Sequence, residues 1–153
     1  MKIRDILGKE SIVVNLQVSS KDELLDKMLE LAAKSGKVIN LEAAKADVLE
    51  RERVLSTGVG KGIAMPHAKT NAIKEIMSSL ATLKPPLDYD SLDGNPVDIV
   101  FLLLGKENDV GNHLRLLSKI SRYLNQESFR SRLKECSDAD EAIELFSESG
   151  KNE

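Results

Sequence analysis

Val97-Asp98-Ile99-Val100-Phe101-Leu102-Leu103-Leu104 is nearly all apolar, interrupted by one carboxylate. A strand with one wet face alternates apolar and polar residues; a run without alternation suits a strand buried on both faces. The run is far too short to span a bilayer, which takes ~20 apolar residues. A central strand therefore needs cover above and below, and the flanking sequence supplies it. Upstream, 87–95 is turn chemistry, with Asp93-Gly94-Asn95-Pro96 the clearest signal. Before that, 76–83 reads as another strand, ended by Pro85-Pro86. Downstream, apolar spacing predicts helices over 111–124, 128–135 and 138–147.

The N-terminal half adds a first strand, Ile12-Val13-Val14-Asn15-Leu16. Ser20 and Glu23 form a capping box opening a helix with Leu24, Leu25, Met28, Leu31 and Ala32 at helical spacing, and Gly36 stops it. A second helix over 41–54 is capped by Asn40, with an apolar stripe of Leu41, Ala44, Val48 and Leu55. A short strand is expected over 63–66. Strand, two helices, three strands and three helices do not alternate as a βαβ fold would. The expected class is α+β: a three-layer α/β/α sandwich with a mixed β-sheet, in the order β-α-α-β-β-β-α-α-α, forming a single domain over 1–153.

Composition narrows the function classes. The 153 residues are 41% hydrophobic and 31% charged, as in a soluble globular protein. A net charge of −3 offers no basic field for nucleic acid and no polybasic stretch for anionic lipid. Aromatics make up 3%, with no Trp, so no base- or sugar-stacking platform is suggested. The lone Cys136 excludes an internal disulfide and a multi-cysteine metal site, and reads as a small half-buried residue near a helix end. Lys2, Arg4 and Asp5 break up any signal peptide, so a cytoplasmic location without membrane insertion is expected.

Chemistry concentrates in Gly60-Lys61-Gly62-Ile63-Ala64-Met65-Pro66-His67. Glycines let the backbone turn and approach a ligand closely, and Pro66 stiffens the approach to His67. A neutral imidazole held this way suits a nucleophile or proton carrier; the plainer reading is a surface-loop histidine. Arg51 falls on the stripe of the second helix, whereas Arg53 does not. A guanidinium there either snorkels or binds a phosphate or carboxylate through its planar fork. His113 shares a face with Leu117, Ile120 and Leu124 in the first turn of a later helix, as a structural or a catalytic histidine. Ser56 and Thr57, with Gly58, Gly60 and Gly62, could form an anion-binding loop or serve as ordinary turn residues. Asp98 is a further carboxylate. No nucleotide-binding Gly-x-x-x-x-Gly-Lys-Ser/Thr loop, Gly-x-Ser-x-Gly elbow or His-Glu-x-x-His zinc motif occurs.

Arg51-Glu52-Arg53, Ser56-Thr57-Gly58-Val59-Gly60, Gly62-Ile63-Ala64-Met65-Pro66-His67, Pro96-Val97-Asp98 and His113-Leu114 together resemble the enzyme IIA domain of the phosphoenolpyruvate-dependent phosphotransferase system, in its fructose/mannitol/nitrogen-regulatory branch. The resemblance covers nearly the whole chain, with Met65 where Ile or Val is expected. It implies a phosphotransferase component in which His67 accepts a phosphoryl group from phospho-HPr, Arg51 binds that group and His113 assists. The acceptor would be a sugar-specific IIB domain or a regulated partner protein, the regulatory role being favoured over dedicated sugar transport. No nucleotide, metal or other cofactor is required. A two-histidine metal enzyme using His67, His113 and Asp98 is the remote alternative, disfavoured because Arg51 would repel a cation.

Overall fold

A computed structural model describes residues 1–149; residues 150–153, which the sequence reads as a frayed chain end, lie outside them. The apolar run forms β6 (Val97–Lys106), the hub of a six-stranded mixed sheet. Its neighbour β5 (Met77–Leu87) runs antiparallel to it, pairing Met77 with Leu104 and Thr82 with Ile99. On the far side of β5 lies β1 (Ile12–Leu16), parallel. On the other side of β6, β3 (Ile63–Ala64) and then β4 (His67–Thr70) pair parallel with successive parts of it, and β2 (Gly58–Gly60) closes the edge antiparallel to β3.

The absence of alternation in β6 has the expected cause. Ile99, Phe101 and Leu103 enter one core with α4 (Val110–Leu124), α5 (Glu127–Glu135) and α6 (Ala139–Ser149). Val100, Leu102 and Leu104 enter a second core with α2 (Lys21–Ala33) and α3 (Leu41–Val54). All six side chains are at most 1% exposed. At roughly 25 cal/mol per Å² of apolar surface, a strand buried on both faces stabilises the fold through two cores at once. The result is the three-layer sandwich.

The helix boundaries follow their caps. Ser20 Oγ accepts from Glu23 N–H at 3.1 Å, while the Glu23 carboxylate reaches back to Ser19 N–H at 2.8 Å. Asn40 Oδ1 accepts from Ala43 N–H at 3.1 Å, and Asp138 Oδ1 from Glu141 N–H at 2.9 Å. Cys136 is buried at the end of α5.

Four features depart from the expected order. A one-turn helix α1 (Ile3–Ile6) and a 3-10 turn (Lys9–Ser11) precede β1; Ile3 and Ile6 plug the first core. β2 and β4 were not foreseen, because neither has a period-2 apolar pattern; backbone pairing alone defines them. β5 continues past Pro85-Pro86 to Leu87, which pairs with Val97. The prolines are exposed and fall within the register shift between Thr82 and Leu87, where no ladder donor is lost. Finally, Ala44 and Val48 of the α3 stripe are buried, but Leu41 and Leu55 are 37% and 54% exposed, and Leu55 already lies beyond the helix in extended backbone.

Candidate functional site

Three elements converge beside the C-terminal half of β6: the last turn of α3, the start of β4 and the first turn of α4. Between them lies a cavity of ≈ 470 Å³ lined by Arg51, His67, Lys69 and His113, with Asp47, Glu50, Val54 and Leu117 also on its wall. Arg51, His67 and His113, read separately from the sequence, are thus brought together. The two imidazole centroids lie 5.6 Å apart.

His67 is held from both sides. Leu103 N–H donates to the Pro66 carbonyl at 3.0 Å, and His67 is in register with Leu103 in the β4–β6 ladder. Its Nδ1 lies 2.8 Å from the Met65 carbonyl. A carbonyl only accepts, so Nδ1 carries the hydrogen and Nε2 keeps its lone pair. Burial pushes the His67 pKa below the ordinary imidazole value, and the nearby Arg51 charge acts in the same direction. The ring is therefore neutral at pH 7. Met65 itself is buried and receives Ser121 Oγ at Sδ, 3.5 Å away.

His113 is 3% exposed. A Cβ at Gly105 would collide with its Nδ1, so only glycine leaves room for the ring at that point of β6. That Nδ1 is buried with no hydrogen-bond partner among the described residues. Burial, then the neighbouring His67 and Lys69, push the His113 pKa down to about 4. This has a consequence for stability. Above pH 6.5 both the folded and unfolded chains hold His113 neutral. Between 6.5 and 4 only the unfolded chain takes up the proton, so the fold loses stability as pH falls through that window. At about 1.4 kcal/mol per pH unit, the loss reaches up to about 3 kcal/mol. Urea midpoints of wild type and His113→Gln at pH 7 and pH 4.5 should diverge, the variant losing less on acidification. Parallel losses would show that His113 is not the titrating group.

Arg51 Nη1 donates to the Leu55 carbonyl at 2.9 Å, which leaves its other donors for the cavity. Arg53 is not on the cavity wall; it pairs with Glu50 at 3.1 Å, both side chains more than 70% exposed. The glycine segment is not part of the cavity wall. Its groups are engaged elsewhere: Thr57 N–H on Glu52, Gly58 N–H on Ser56 Oγ, Lys61 N–H on Asp93, and the Gly58 and Gly62 carbonyls on Leu92 and Asp98 N–H. A Cβ at Gly62 would meet Asp98 Oδ1 at 2.7 Å and one at Gly58 would meet Ser91 Oγ at 2.5 Å. These glycines admit the chain from Ser91 to Asp98 at close range and lie outside the cavity wall. Asp98 pairs with Lys134 at 3.3 Å and does not reach the histidines. Among the described residues no group of three or more His, Cys, Asp and Glu is placed to hold a metal ion.

Sequence reasoning missed Lys69, Gly105 and Glu52. Lys69 lies two residues after His67 on one strand face, a relation visible only once β4 is known. Gly105 gives no signal without the partner ring. Glu52 looks like a surface charge until Lys21, Thr57 and Tyr89 are seen around it.

Fold and site together define the class: an α/β/α protein presenting a fixed neutral imidazole beside a guanidinium and a second imidazole. The chain belongs to the family described as the phosphoenolpyruvate-dependent sugar phosphotransferase system, EIIA 2, which matches residues 5–149, and it is a phosphocarrier component of that system. It is 38% identical to a nitrogen regulatory protein of Bradyrhizobium diazoefficiens over 91% of this chain and 90% of the relative. It is 36% identical to the fructose-specific EIIABC component of Bacillus subtilis over 99% of this chain, which spans only 24% of that larger protein. The crystal structure of nitrogen regulatory protein IIA-Ntr from Neisseria meningitidis superposes with a TM-score of 0.87 at 31% identity, covering 94% of this chain and 98% of that one. Among the described residues no helix is long and apolar enough to cross a membrane.

Proposed function

We propose that this chain accepts a phosphoryl group from phospho-HPr on His67 Nε2, and that its phosphorylation state then controls partner proteins. The observation that carries this reading is the 2.8 Å contact between His67 Nδ1 and the Met65 carbonyl inside a cavity shared with Arg51 and His113. The Nε2 lone pair attacks phosphorus as the donor's N–P bond breaks. The hydrogen stays on Nδ1, which goes on donating to the Met65 carbonyl, so the positive charge arising on the ring remains hydrogen-bonded. Arg51 binds the oxygens of the transferred group through its fork, and positioning plus electrostatics do most of the catalytic work. His113 assists. A bare acceptor is cheaper to bury than an unpaired N–H, so its orphan Nδ1 is unprotonated and its Nε2–H is left to donate to a phosphoryl oxygen. The protein is a carrier within a transferase system, and a cytoplasmic location fits this donor.

The regulatory role is favoured because the relative matched over nine-tenths of its own length, and the close structural match, are both nitrogen-regulatory proteins. The second reading, passage of the group to a sugar-specific IIB domain, is favoured by the likeness to the fructose-specific protein. With phosphoenolpyruvate, enzyme I and HPr, the chain should gain one acid-labile phosphoryl group, adding about −1.5 to −2 charges to the rim of the cavity. Phosphorylation-dependent capture of a regulatory partner supports the first role. Exclusive transfer to the cysteine of one IIB domain would replace it with the second.

A further inference from the structure

We propose that Glu52 is the positioning residue for Arg51, acting through the chain segment 55–57. The inference rests on the reading of Arg51 as the phosphoryl-binding group. No glycine closes α3; it ends at Val54, and Leu55 is extended with φ −166° and ψ 137°. Two side chains of its last turn reach forward instead. Arg51 Nη1 donates to the Leu55 carbonyl at 2.9 Å. Glu52, with a side chain 6% exposed, holds Thr57 two residues further on: its Oε2 accepts from Thr57 N–H at 3.0 Å and its Oε1 from the Thr57 hydroxyl. The same carboxylate takes Tyr89 Oη at 3.0 Å and Lys21 Nζ at 2.8 Å.

One buried carboxylate therefore gathers donors from α2, the α3–β2 connection and the β5–β6 connection. The orientation of the Leu55 carbonyl depends on where Thr57 is pinned, and that carbonyl fixes one donor of the Arg51 fork. An unrestrained arginine would lose more rotamer freedom on binding than one whose fork is already held. Lys21 pairs with Glu52 and offsets part of its charge, although the carboxylate field still reaches His67. The Lys21 ammonium is itself fixed 4.4 Å from the centroid of the Tyr89 ring. Glu52 touches neither the cavity wall nor the reacting atoms, so it is a positioning group and not a catalytic residue.

A double-mutant cycle on single-turnover transfer from phospho-HPr tests this, with Arg51 guanidinium NMR relaxation as a second readout. Glu52→Gln should slow transfer about 10- to 100-fold with little change in KM for phospho-HPr. It should add nothing further in an Arg51→Ala background, because both changes disable one group. The Arg51 Nε signal should show greater motional averaging in Glu52→Gln than in wild type. Thr57→Val, which keeps the carboxylate but loses the hydroxyl bond, should show a smaller effect of the same kind and carries the test if Glu52→Gln does not fold. Additive losses in the double variant, or unchanged Arg51 order, would overturn the proposal. If wild type takes up no phosphoryl group at all, the carrier reading falls, and the relaxation measurement still decides whether Glu52 orders Arg51.

Discussion

His67→Ala should take up no phosphoryl group under conditions in which wild type takes up one. The expectation rests on geometry more than on residue type. His67 is neutral at pH 7, its tautomer is set by the Met65 carbonyl, and β4 pairing with β6 fixes its backbone. Removing a covalent acceptor removes the reaction, not a fraction of its rate. The other histidine cannot replace it, being 3% exposed with Nδ1 packed against Gly105. Intact mass at neutral pH, followed by brief acid treatment, reads the result. Undiminished labelling of His67→Ala, or a phosphoryl group mapped to His113, would move the acceptor.

How much of this was legible in the sequence depends on whether one element or several carried the signal. The buried run of β6 was legible because both its faces are apolar, a property of the strand alone. The helices were legible from their apolar spacing, and α2 and α3 also from the local caps Ser20 and Asn40. β2 and β4 were not, since Gly-Val-Gly and His-Ala-Lys-Thr are strands only through pairing, β2 with residues 3 to 6 positions away and β4 with residues 36 positions away, a tertiary override of local pattern. The site divides in the same way. His67, Arg51 and His113 each announced themselves as a polar residue where the local pattern wants none or as the end of a stiff segment. The neighbours of the glycine segment were not legible, because glycine signals a close approach without naming what approaches. Here it is the Asp93–Asp98 side of the β5–β6 connection. Glu52 was illegible for the opposite reason: its burial is created by Thr57, Lys21 and Tyr89, and its own helix reveals none of it.

Arg51→Ala should slow phosphoryl transfer about 10²- to 10³-fold, the cost typical of losing one preorganised donor to a developing oxyanion. The helical register separates Arg51 from Arg53, two residues away, and the structure gives that separation a physical form. Arg51 lines the cavity with both histidines and lowers the His67 pKa through its charge. Arg53 is 77% exposed and tied to Glu50. An exposed pair of that kind contributes about 0.2–1 kcal/mol to stability, and Arg53 itself does not line the cavity, so Arg53→Ala should transfer at close to the wild-type rate. Arg51→Lys should recover only part of the loss. An ammonium restores the charge, but one point donor cannot hold the Leu55 carbonyl and two phosphoryl oxygens in a fixed plane. Rates in the order wild type and Arg53→Ala, then Arg51→Lys, then Arg51→Ala would place the fork, beyond its charge, on the phosphoryl group. A larger defect in Arg53→Ala than in Arg51→Ala would put the binding guanidinium on the other face of α3.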